Sequence, residues 1–555
     1  MKGKIVIVGG VAGGATAAAR IRRLDEDSDI VVFERSGFVS YANCGLPYFV
    51  GGVITDRDEL TLQTPESFRS RYRVDVRVRH EVTAIFPAEK RVAVRDLTTG
   101  KTFSEPYDKL LLAPGAAPVV PDVPGADMPE LFTLRTVEDT LRLRRAVAEK
   151  KPRTAVIAGG GFIGLELAEN LMNAGVQVTI VQRPRQLLNT LDADMAAFVH
   201  EKAREKGVGL LLGRTVAGFE KTDGGVRVLI KDEPPLEADM AVLAVGVRPE
   251  TRLAKEAGLK LGEKDAILVN DRMETSAPDI YAVGDAVQIR YFLTGEPALV
   301  PLAGPANRQA RIAADNICGR NARYDGAQGT SIVRLFDLTA ASTGLNEKAA
   351  EKAGLAFGKL YLSPLNHAGY YPGAAILTMK VLFEKDTFRL LGAQIVGGDG
   401  VDKRIDVLAA AIREKRTAPA LNDLELAYAP PYSSAKDPVN MAGYMAENLQ
   451  SGLVRQFFWH DVAALPRDGS VTLLDVRTPG EYARGHIDGF MNIPVDTLRD
   501  RLGELPPGKP VYVHCQTGLR SYIACRILAQ KSLACYNLSG GYRLYKTVTE
   551  DLKAL

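Results

Sequence analysis

Cysteine is scarce in this chain: five residues in 555, Cys44, Cys318, Cys515, Cys525 and Cys535, with no CxxC pair among them. That spacing excludes a disulfide scaffold and paired-cysteine zinc sites, and it fits a reducing cytoplasm. Histidine is nearly as rare, six residues without metal-ligand spacing, so no metal centre is expected. No run of 18 or more apolar residues occurs, which argues against a transmembrane helix and a membrane partner. Excess charge is lacking too. Against 67 acidic residues stand 70 basic ones, a net charge of +3, so no global field draws the chain onto nucleic acid and any anion site is local.

What is present is length and an ordinary core-forming composition. With 46% apolar residues, 555 residues suffice for three or four domains of roughly 100 to 200 residues each. Lys2 and Lys4 precede an uncharged stretch and so imitate a secretory signal, but glycines interrupt that stretch and a strand, turn and helix explain them better. Short β-branched runs alternate with helical stretches at Lys4 to Val8, Ile30 to Glu34, Thr154 to Ala158 and Gln177 to Gln182. The alternation predicts βαβ units with parallel sheets, and it occurs twice, each copy opening on a glycine-rich turn. From about 331 to 443 the pattern becomes strands plus a helix over Val401 to Arg413, an α+β domain, and a new α/β pattern starts at Val471 to Val476.

The first turn reads Gly9-Gly10-Val11-Ala12-Gly13-Gly14, after a strand and before a helix. Gly9 suits the tight turn and Gly14 the close helix packing, while the helix N-terminus offers N–H groups to a pyrophosphate. Val11 stands where GxGxxG has its middle glycine. Glu34, at the end of the second strand, is placed to bind a ribose hydroxyl. The second turn, Gly159-Gly160-Gly161-Phe162-Ile163-Gly164, matches GxGxxG in full. At the end of its second strand stand Gln182 and Arg183 in place of an acid. Nothing there repels a 2′-phosphate, and Arg183 and Arg185 can meet one, so NADPH is as acceptable as NADH.

Together with Ala113-Pro114-Gly115, Ala244-Val245-Gly246-Val247-Arg248-Pro249 and Tyr281-Ala282-Val283-Gly284-Asp285, these turns resemble the pyridine nucleotide-disulfide oxidoreductases. The resemblance implies FAD on the first turn, with Arg35 beside Glu34 and Asp285 on the ribityl chain, and NAD(P)H on the second. Glutathione-reductase types carry a CxxxxC pair after the FAD ribose strand, but Ser40-Tyr41-Ala42-Asn43-Cys44-Gly45-Leu46-Pro47-Tyr48 has only Cys44. A lone thiol cannot close an internal disulfide. Its oxidised form must be a mixed disulfide, a persulfide or a sulfenic acid.

Within the single-cysteine branch, the phrase around Cys44 together with Asn366 to Gly373, Gly400 to Asp406 and Ala427 to Ser433 resembles coenzyme A-disulfide reductases over residues 1 to about 445. That resemblance implies a homodimer in which Tyr370 and Tyr428 reach the partner's active site and give a proton to the departing CoA thiolate. It also places coenzyme A near Thr16, Arg20, Arg23, Ser40 and Asn43, with Lys436 from the other subunit. The cationic helix Arg20, Arg22, Arg23 suits the CoA phosphates. Asn307 falls at a substrate-contacting position where a histidine can occur.

Residues 453 to 555 contain Leu474-Asp475-Val476-Arg477, Glu481 to Gly489 and His514-Cys515-Gln516-Thr517-Gly518-Leu519-Arg520-Ser521, and resemble a single rhodanese domain. Cys515 opens a tight loop into a helix, where backbone N–H groups and the helix dipole stabilise a thiolate or persulfide, and Arg520 adds a positive charge. Four residues separate Cys515 from Arg520, one fewer than in related phosphatase loops, which favours a sulfur atom over a phosphate. Cys318, Cys525 and Cys535 are expected in cores.

The expected fold class is α/β: two Rossmann-like nucleotide-binding domains for FAD and NAD(P)H, an α+β dimerisation domain and a C-terminal α/β rhodanese domain. Residues 1–117 and 248–325 would form the FAD domain, 118–247 the NAD(P)H domain, 326–444 the dimerisation domain, 445–452 a linker and 453–555 the rhodanese domain. The expected activity is reduction of CoA disulfide, CoA persulfide or polysulfide by NAD(P)H through Cys44, with Cys515 as sulfur carrier. Two alternatives remain open at this point: an NADH oxidase or peroxidase cycling Cys44 through a sulfenic acid, and a non-enzymatic flavin redox sensor or sulfur-carrier module.

Overall fold

The run Ile5-Val6-Ile7-Val8 is fully buried, as a strand covered on both faces requires. In the computed structural model, which describes residues 3–555, this strand is the centre of a five-stranded parallel sheet. The order is Ile280–Ala282, Lys109–Leu112, Lys4–Val8, Asp29–Glu34, Asp75–Val78. Val8 lies opposite both Phe33 and Leu112, so Gly9, Glu34 and Ala113 meet at the carboxyl edge of the sheet, where open α/β sheets bind ligands.

A second parallel sheet repeats the plan, in the order Gly209–Leu212, Gln177–Gln182, Thr154–Ala158, Met240–Leu243, Leu131–Phe132. Ala158 faces Val181 and Leu243, which brings Gly159, Gln182 and Ala244 to one edge. The duplication goes further than the glycine turns suggest. Each half also carries a three-stranded antiparallel sheet, His80–Phe86 with Arg91–Asp96 and Thr102–Pro106, and Val216–Lys221 with Val226–Ile230 and Glu233–Ala238.

All of this lies in one compact unit, residues up to Arg183 with Val208–Gly329, while a second unit holds Pro184–Gly207 with Thr330–Leu555. The second unit contains a five-stranded antiparallel sheet, Ser331–Leu335, Leu338–Gly344, Leu390–Gly397, Thr378–Glu384 and Phe357–Leu362, backed by the helix Val401–Arg413. It also contains a parallel sheet ordered Gln456–Phe457, Cys535–Leu538, Val511–His514, Thr472–Asp475, Met491–Asn492. Residues 445–450, read from sequence as linker, are instead the end of the helix Pro438–Gln450, which Asp437 caps by accepting the Val439 N–H. The chain leaves that helix through Gly452 at φ +70°.

The helix Ala193–Glu205 follows the second nucleotide-domain strand Gln177–Gln182 in sequence but packs within the second unit, against Leu390–Gly397 and the C-terminal helix Gly541–Lys553. Polar contacts of two of its side chains hold it. His200 lies 2.7 Å from Asp551 through Nδ1 and accepts the Leu187 N–H at Nε2, and Arg204 pairs with Asp551 at 2.6 Å. Beside it Lys380, fully buried, sets its ammonium 2.7 Å from Asp192 and 3.0 Å from Asp194, with Glu347 in contact as well. Tyr361 donates to Asp194 at 2.5 Å, and the indole of Trp459 approaches the same carboxylate at 3.4 Å. These three carboxylates are grouped as a metal site would group them, but the lysine ammonium holds their centre. Burial disfavours the charge on Lys380, and the acids more than offset it, holding its pKa above the ordinary value.

Removing the ammonium while keeping its apolar stem leaves buried carboxylates uncompensated, a change that costs about 3–5 kcal/mol. Lys380→Met is therefore expected to lower the denaturant midpoint of the second unit. Fluorescence of Trp459, the one tryptophan of the chain, reports it, and an unchanged midpoint contradicts the assigned role.

Candidate functional site

Backbone contact too close for a side chain defines the first nucleotide turn. A Cβ on Gly9, at φ +93°, would stand 2.2 Å from the Ala113 carbonyl oxygen, and one on Gly14 would stand 1.8 Å from that of Gly9. The turn is thereby pressed against the sheet edge, and Val11 serves as the N-cap position of the helix Ala12–Leu24, which has no acid in its first turn. The Gly10 N–H donates to Glu34 Oε2 at 2.8 Å, and Ser36 N–H donates to Oε1 at 2.9 Å. A cleft of about 430 Å³ opens over Gly9, Glu34, Arg35 and Pro114, with Arg35 paired to Glu250 at 2.6 Å. A recessed acid beside a helix N-terminus free of anionic side chains is the donor and acceptor set a dinucleotide needs, so these residues fit FAD.

The second turn repeats this geometry. Gly159 and Gly164 make the same close approaches, to Ala244 and Gly159 carbonyl oxygens, and the helix Phe162–Asn173 again lacks a first-turn acid. Gly160 N–H donates to Gln182 Oε1 at 2.9 Å, so Gln182 stands where Glu34 stands in the first domain. Arg183 is exposed next to it. The loops around Gly115 and Gly246 lie side by side, because Ala116–Pro118 pairs with Val247–Pro249 and Val119 N–H reaches the Gly246 carbonyl at 2.9 Å.

Around Cys44 the structure assembles residues that sequence reading missed. Arg135, directly before the helix Val137–Lys150, donates to Asp285 at 2.8 Å and to the Ala116 carbonyl at 3.0 Å. Asn43 pairs with both its backbone carbonyl and its guanidinium, at 2.9 and 3.3 Å. Asp285 sits in the turn Gly284–Ala286, where Gly284 N–H donates to Gln309. Glu166, from the second nucleotide helix, comes within 3.4 Å of the Tyr48 hydroxyl. Burial raises the Glu166 carboxyl to about 7. Burial also raises the exposed-edge Cys44 thiol, the Glu166 charge adds to that, and Arg135 opposes it. Only the position of Glu166, two residues past Gly164 on a helix facing the thiol, could have drawn attention to it.

Of the residues assigned to coenzyme A, Thr16 donates to Asn307 at 2.5 Å and Ser40 takes an unusual φ of +48° while its N–H reaches the Gly10 carbonyl. Arg20 pairs with Asp315 at 2.7 Å, and Arg23 is exposed. Arg22, counted with them as a cation for phosphate, is buried and donates to the carbonyls of Tyr72, Asp25, Ser28 and Arg73. Its work is structural.

In the second unit, Tyr370 and Tyr428 bring their hydroxyls to 2.9 Å of one another, both well exposed. Their mutual hydrogen bond raises the Tyr370 pKa, so that hydroxyl keeps its proton. Buried Arg404 ties the segments that carry them, donating to the carbonyls of Asn366, Gly400 and Tyr432 and pairing with Asp437 at 2.9 Å. Lys436 is exposed beside that aspartate.

The third constellation surrounds Cys515, which is buried at the end of the strand Val511–His514. Its sulfur receives the Gly518 N–H at 3.1 Å and the Ser521 hydroxyl at 3.3 Å, at the start of the helix Leu519–Ala529. Arg520 makes a two-bond pair with Glu481, at 2.6 and 2.7 Å. Arg477, also buried, pairs with Asp475 at 2.7 Å and contacts Gln516 of the loop at 3.3 Å. Burial lowers the His514 pKa to about 4, so this neighbour of Cys515 is neutral. Cys525 and Cys535 are buried in the core around this sheet. His486 stacks on Tyr482 at 4.0 Å and contacts its carbonyl.

Residues 3–306 match the family described as pyridine nucleotide-disulphide oxidoreductase, and residues 330–438 match its dimerisation domain. The chain belongs to this oxidoreductase family. Residues 459–547 match the rhodanese-like domain. Over 447 residues, 80% of this chain and all of the relative, it is 38% identical to coenzyme A disulfide reductase of Staphylococcus haemolyticus. Solved structures that resemble the whole chain include reduced Bacillus anthracis CoADR-RHD, 47% identical with TM-score 0.96 over 99% of both chains. A NAD-dependent persulfide reductase from A. fulgidus is 37% identical with TM-score 0.92, over 98% of this chain and 100% of its own. The α/β plan of this oxidoreductase, with its C-terminal rhodanese-like domain, is thus the one read from sequence. No helix among its described residues is long and apolar enough to cross a membrane.

Glu166 supplies a pH test. Below about 7 it is protonated and only burial and Asp285 still oppose the Cys44 thiolate, and above that the Glu166 charge raises the energy of the thiolate further. Glu166→Gln is expected to increase the alkylation rate of Cys44 by iodoacetamide at pH 8, by about threefold or more, and to remove the inflection near pH 7. An unaltered pH–rate curve contradicts the coupling.

Proposed function

We propose that the chain is an FAD-dependent NAD(P)H oxidoreductase that reduces coenzyme A disulfide, coenzyme A persulfide and polysulfide at Cys44, served by a sulfur-carrying Cys515. The observation that carries the reading is the pairing, in one chain, of a lone exposed thiol, Cys44, in the unit that holds both glycine turns with a second thiol cradled by N–H and O–H donors. The relatives named above act, by their names, on CoA disulfide and on persulfide.

FAD would be held by the Gly9–Gly14 turn, Glu34 and Asp285, and NAD(P)H by the Gly159–Gly164 turn with Gln182 and Arg183. When bound, FAD supplies the two-electron relay between nicotinamide and sulfur. Gln182 accepts the Gly160 N–H as Glu34 accepts that of Gly10, without bringing a negative charge, which supports use of either NADH or NADPH.

Cys44 attacks one sulfur of CoA disulfide, forming a Cys44–S–S–CoA bond and releasing CoA thiolate, which Tyr370 or Tyr428 of the other subunit protonates. With CoA persulfide, attack on the sulfane sulfur leaves a Cys44 persulfide and releases CoA thiolate. Two electrons and a proton then restore Cys44 and release CoA thiol in the first case and hydrosulfide in the second. The dimerisation domain and the paired exposed hydroxyls support a homodimer with an active site shared across subunits. Thr16, Ser40, Asn43, Asn307, Arg23 and Lys436 are assigned to coenzyme A, and Arg20 to that site through its pair with Asp315. Five free thiols support a reducing cytoplasm as the compartment.

An oxidase or peroxidase cycle leaves the Cys515 cradle without a purpose, and a redox sensor leaves the Tyr370–Tyr428 pair without one. Cys44→Ser is expected to abolish NAD(P)H oxidation with CoA disulfide and with CoA persulfide. Cys515→Ser is expected to abolish sulfur transfer while sparing reduction of free CoA disulfide. Retention of CoA disulfide reduction by Cys44→Ser contradicts the reading, as does full sulfur transfer by Cys515→Ser.

A further inference from the structure

Both arginines whose guanidinium groups belong to or touch the Cys515 loop arrive with a carboxylate of their own. Arg520 gives two hydrogen bonds to Glu481, and Arg477 gives three to Asp475. His514 is buried with its ring against the Asp475–Arg477 pair and the Cys515 carbonyl. Arg543, whose backbone N–H reaches the Gln516 carbonyl, turns its guanidinium to Thr378 and the Phe198 ring. The side-chain charge around the sulfur therefore sums to zero. Stabilisation of an anion on Cys515 falls to the Gly518 N–H, the Ser521 hydroxyl and the helix behind them.

We infer that Glu481 is a positioning residue for donor specificity: by neutralising Arg520 it turns the Cys515 site away from thiosulfate and toward persulfides whose transferring sulfur carries little charge. The inference deepens the proposed sulfur-carrier reading and rests on it.

Charge bookkeeping gives the reason. With an uncharged persulfide, Cys515 thiolate attacks the terminal sulfur, the Cys515–S bond forms, the old S–S bond breaks, and the donor leaves as a thiolate with the bonding pair. One negative charge is present throughout. With thiosulfate the same attack releases sulfite with the bonding pair, and the thiolate and the donor dianion bring three negative charges into the loop. A site for that reaction needs an unpaired cation at the sulfonate, and Arg520 is the only arginine of the loop itself. Glu481 already holds both of its terminal nitrogens. CoA persulfide carries its phosphates far from the sulfane sulfur, so they fall outside the loop.

The position of Glu481 is fixed independently of Arg520. It is the third residue of the helix Pro479–Ala483, where it forms a capping box with Thr478, accepting the Thr478 N–H and hydroxyl at 3.0 Å each. The carboxylate is thus anchored before it meets the guanidinium, and Arg520 with the cap lowers its pKa to about 2. It remains charged at any working pH.

Glu481→Gln keeps the capping geometry, since glutamine serves at that position of a capping box, and removes the charge. In full-length protein, sulfur transfer from thiosulfate and from glutathione persulfide is measured with cyanide as acceptor, and loading of Cys515 is followed by a 32 Da mass increase on the intact protein. The expected result is a shift of at least tenfold in the ratio of the two kcat/KM values toward thiosulfate, through a lower thiosulfate KM. Glu481→Asp is expected to shift the ratio less. A ratio unmoved in Glu481→Gln, with unchanged thermal unfolding, overturns the inference. If neither donor loads Cys515 in the unaltered protein, the sulfur-carrier reading itself fails, which is a different outcome.

Discussion

A single thiol, Cys44, where a CxxxxC pair would close an internal disulfide, is the constraint from which the rest follows. Cys44 has no neighbouring cysteine in sequence, so each oxidised state of Cys44 has to be completed by a sulfur or oxygen other than that of an adjacent cysteine. For the proposed function the chain has to bind the group that brings that sulfur, protonate the thiolate that departs and keep the thiol reactive in between. In the proposed function the first need falls to Thr16 and Arg23 of the helix Ala12–Leu24 and the second to the hydrogen-bonded pair Tyr370–Tyr428, while the charges of Glu166 and Arg135 act on the thiol itself.

The same economy shapes the nucleotide domains. In both, a side-chain oxygen at the end of the second strand accepts the N–H of the second glycine, from Glu34 in one and Gln182 in the other, at nearly equal distances of 2.8 and 2.9 Å. One contact therefore ties the glycine turn to the end of the second strand in each domain. The amide in place of the acid keeps this scaffold and removes one negative charge from the edge of the second sheet; in the proposed function that is the charge the ribose of NAD(P)H would meet.

What was legible in the sequence was whatever is local. The glycine turns, the strand before each, the helix Val401–Arg413 and the loop from Cys515 to Arg520 follow from neighbours within a few residues, where period, caps and turn chemistry act directly. What escaped was partnership across long distances in the chain. Arg20 reads as a free cation until Asp315, 295 residues away, is seen beside it. Arg22 reads as its equal, yet it is buried and serves backbone carbonyls. Arg135 and Glu166 carry no motif of their own and matter through Asp285, Asn43 and Cys44. The Lys380 cluster draws its acids from positions about 30 to 190 residues away, a pattern no period reveals. Likewise, the segment read as a linker continues a helix, because nothing in Met445 to Gln450 breaks one.

The central claim is that sulfur bonded to coenzyme A is what Cys44 reduces. It is tested most directly by anaerobic NADH and NADPH oxidation with CoA disulfide, CoA persulfide and polysulfide at matched concentrations, with sulfide recorded alongside. The account predicts turnover with the CoA-linked substrates and stoichiometric sulfide from the persulfide. Nicotinamide oxidation that proceeds only with oxygen or peroxide, and no faster when CoA disulfide or persulfide is added, would contradict it.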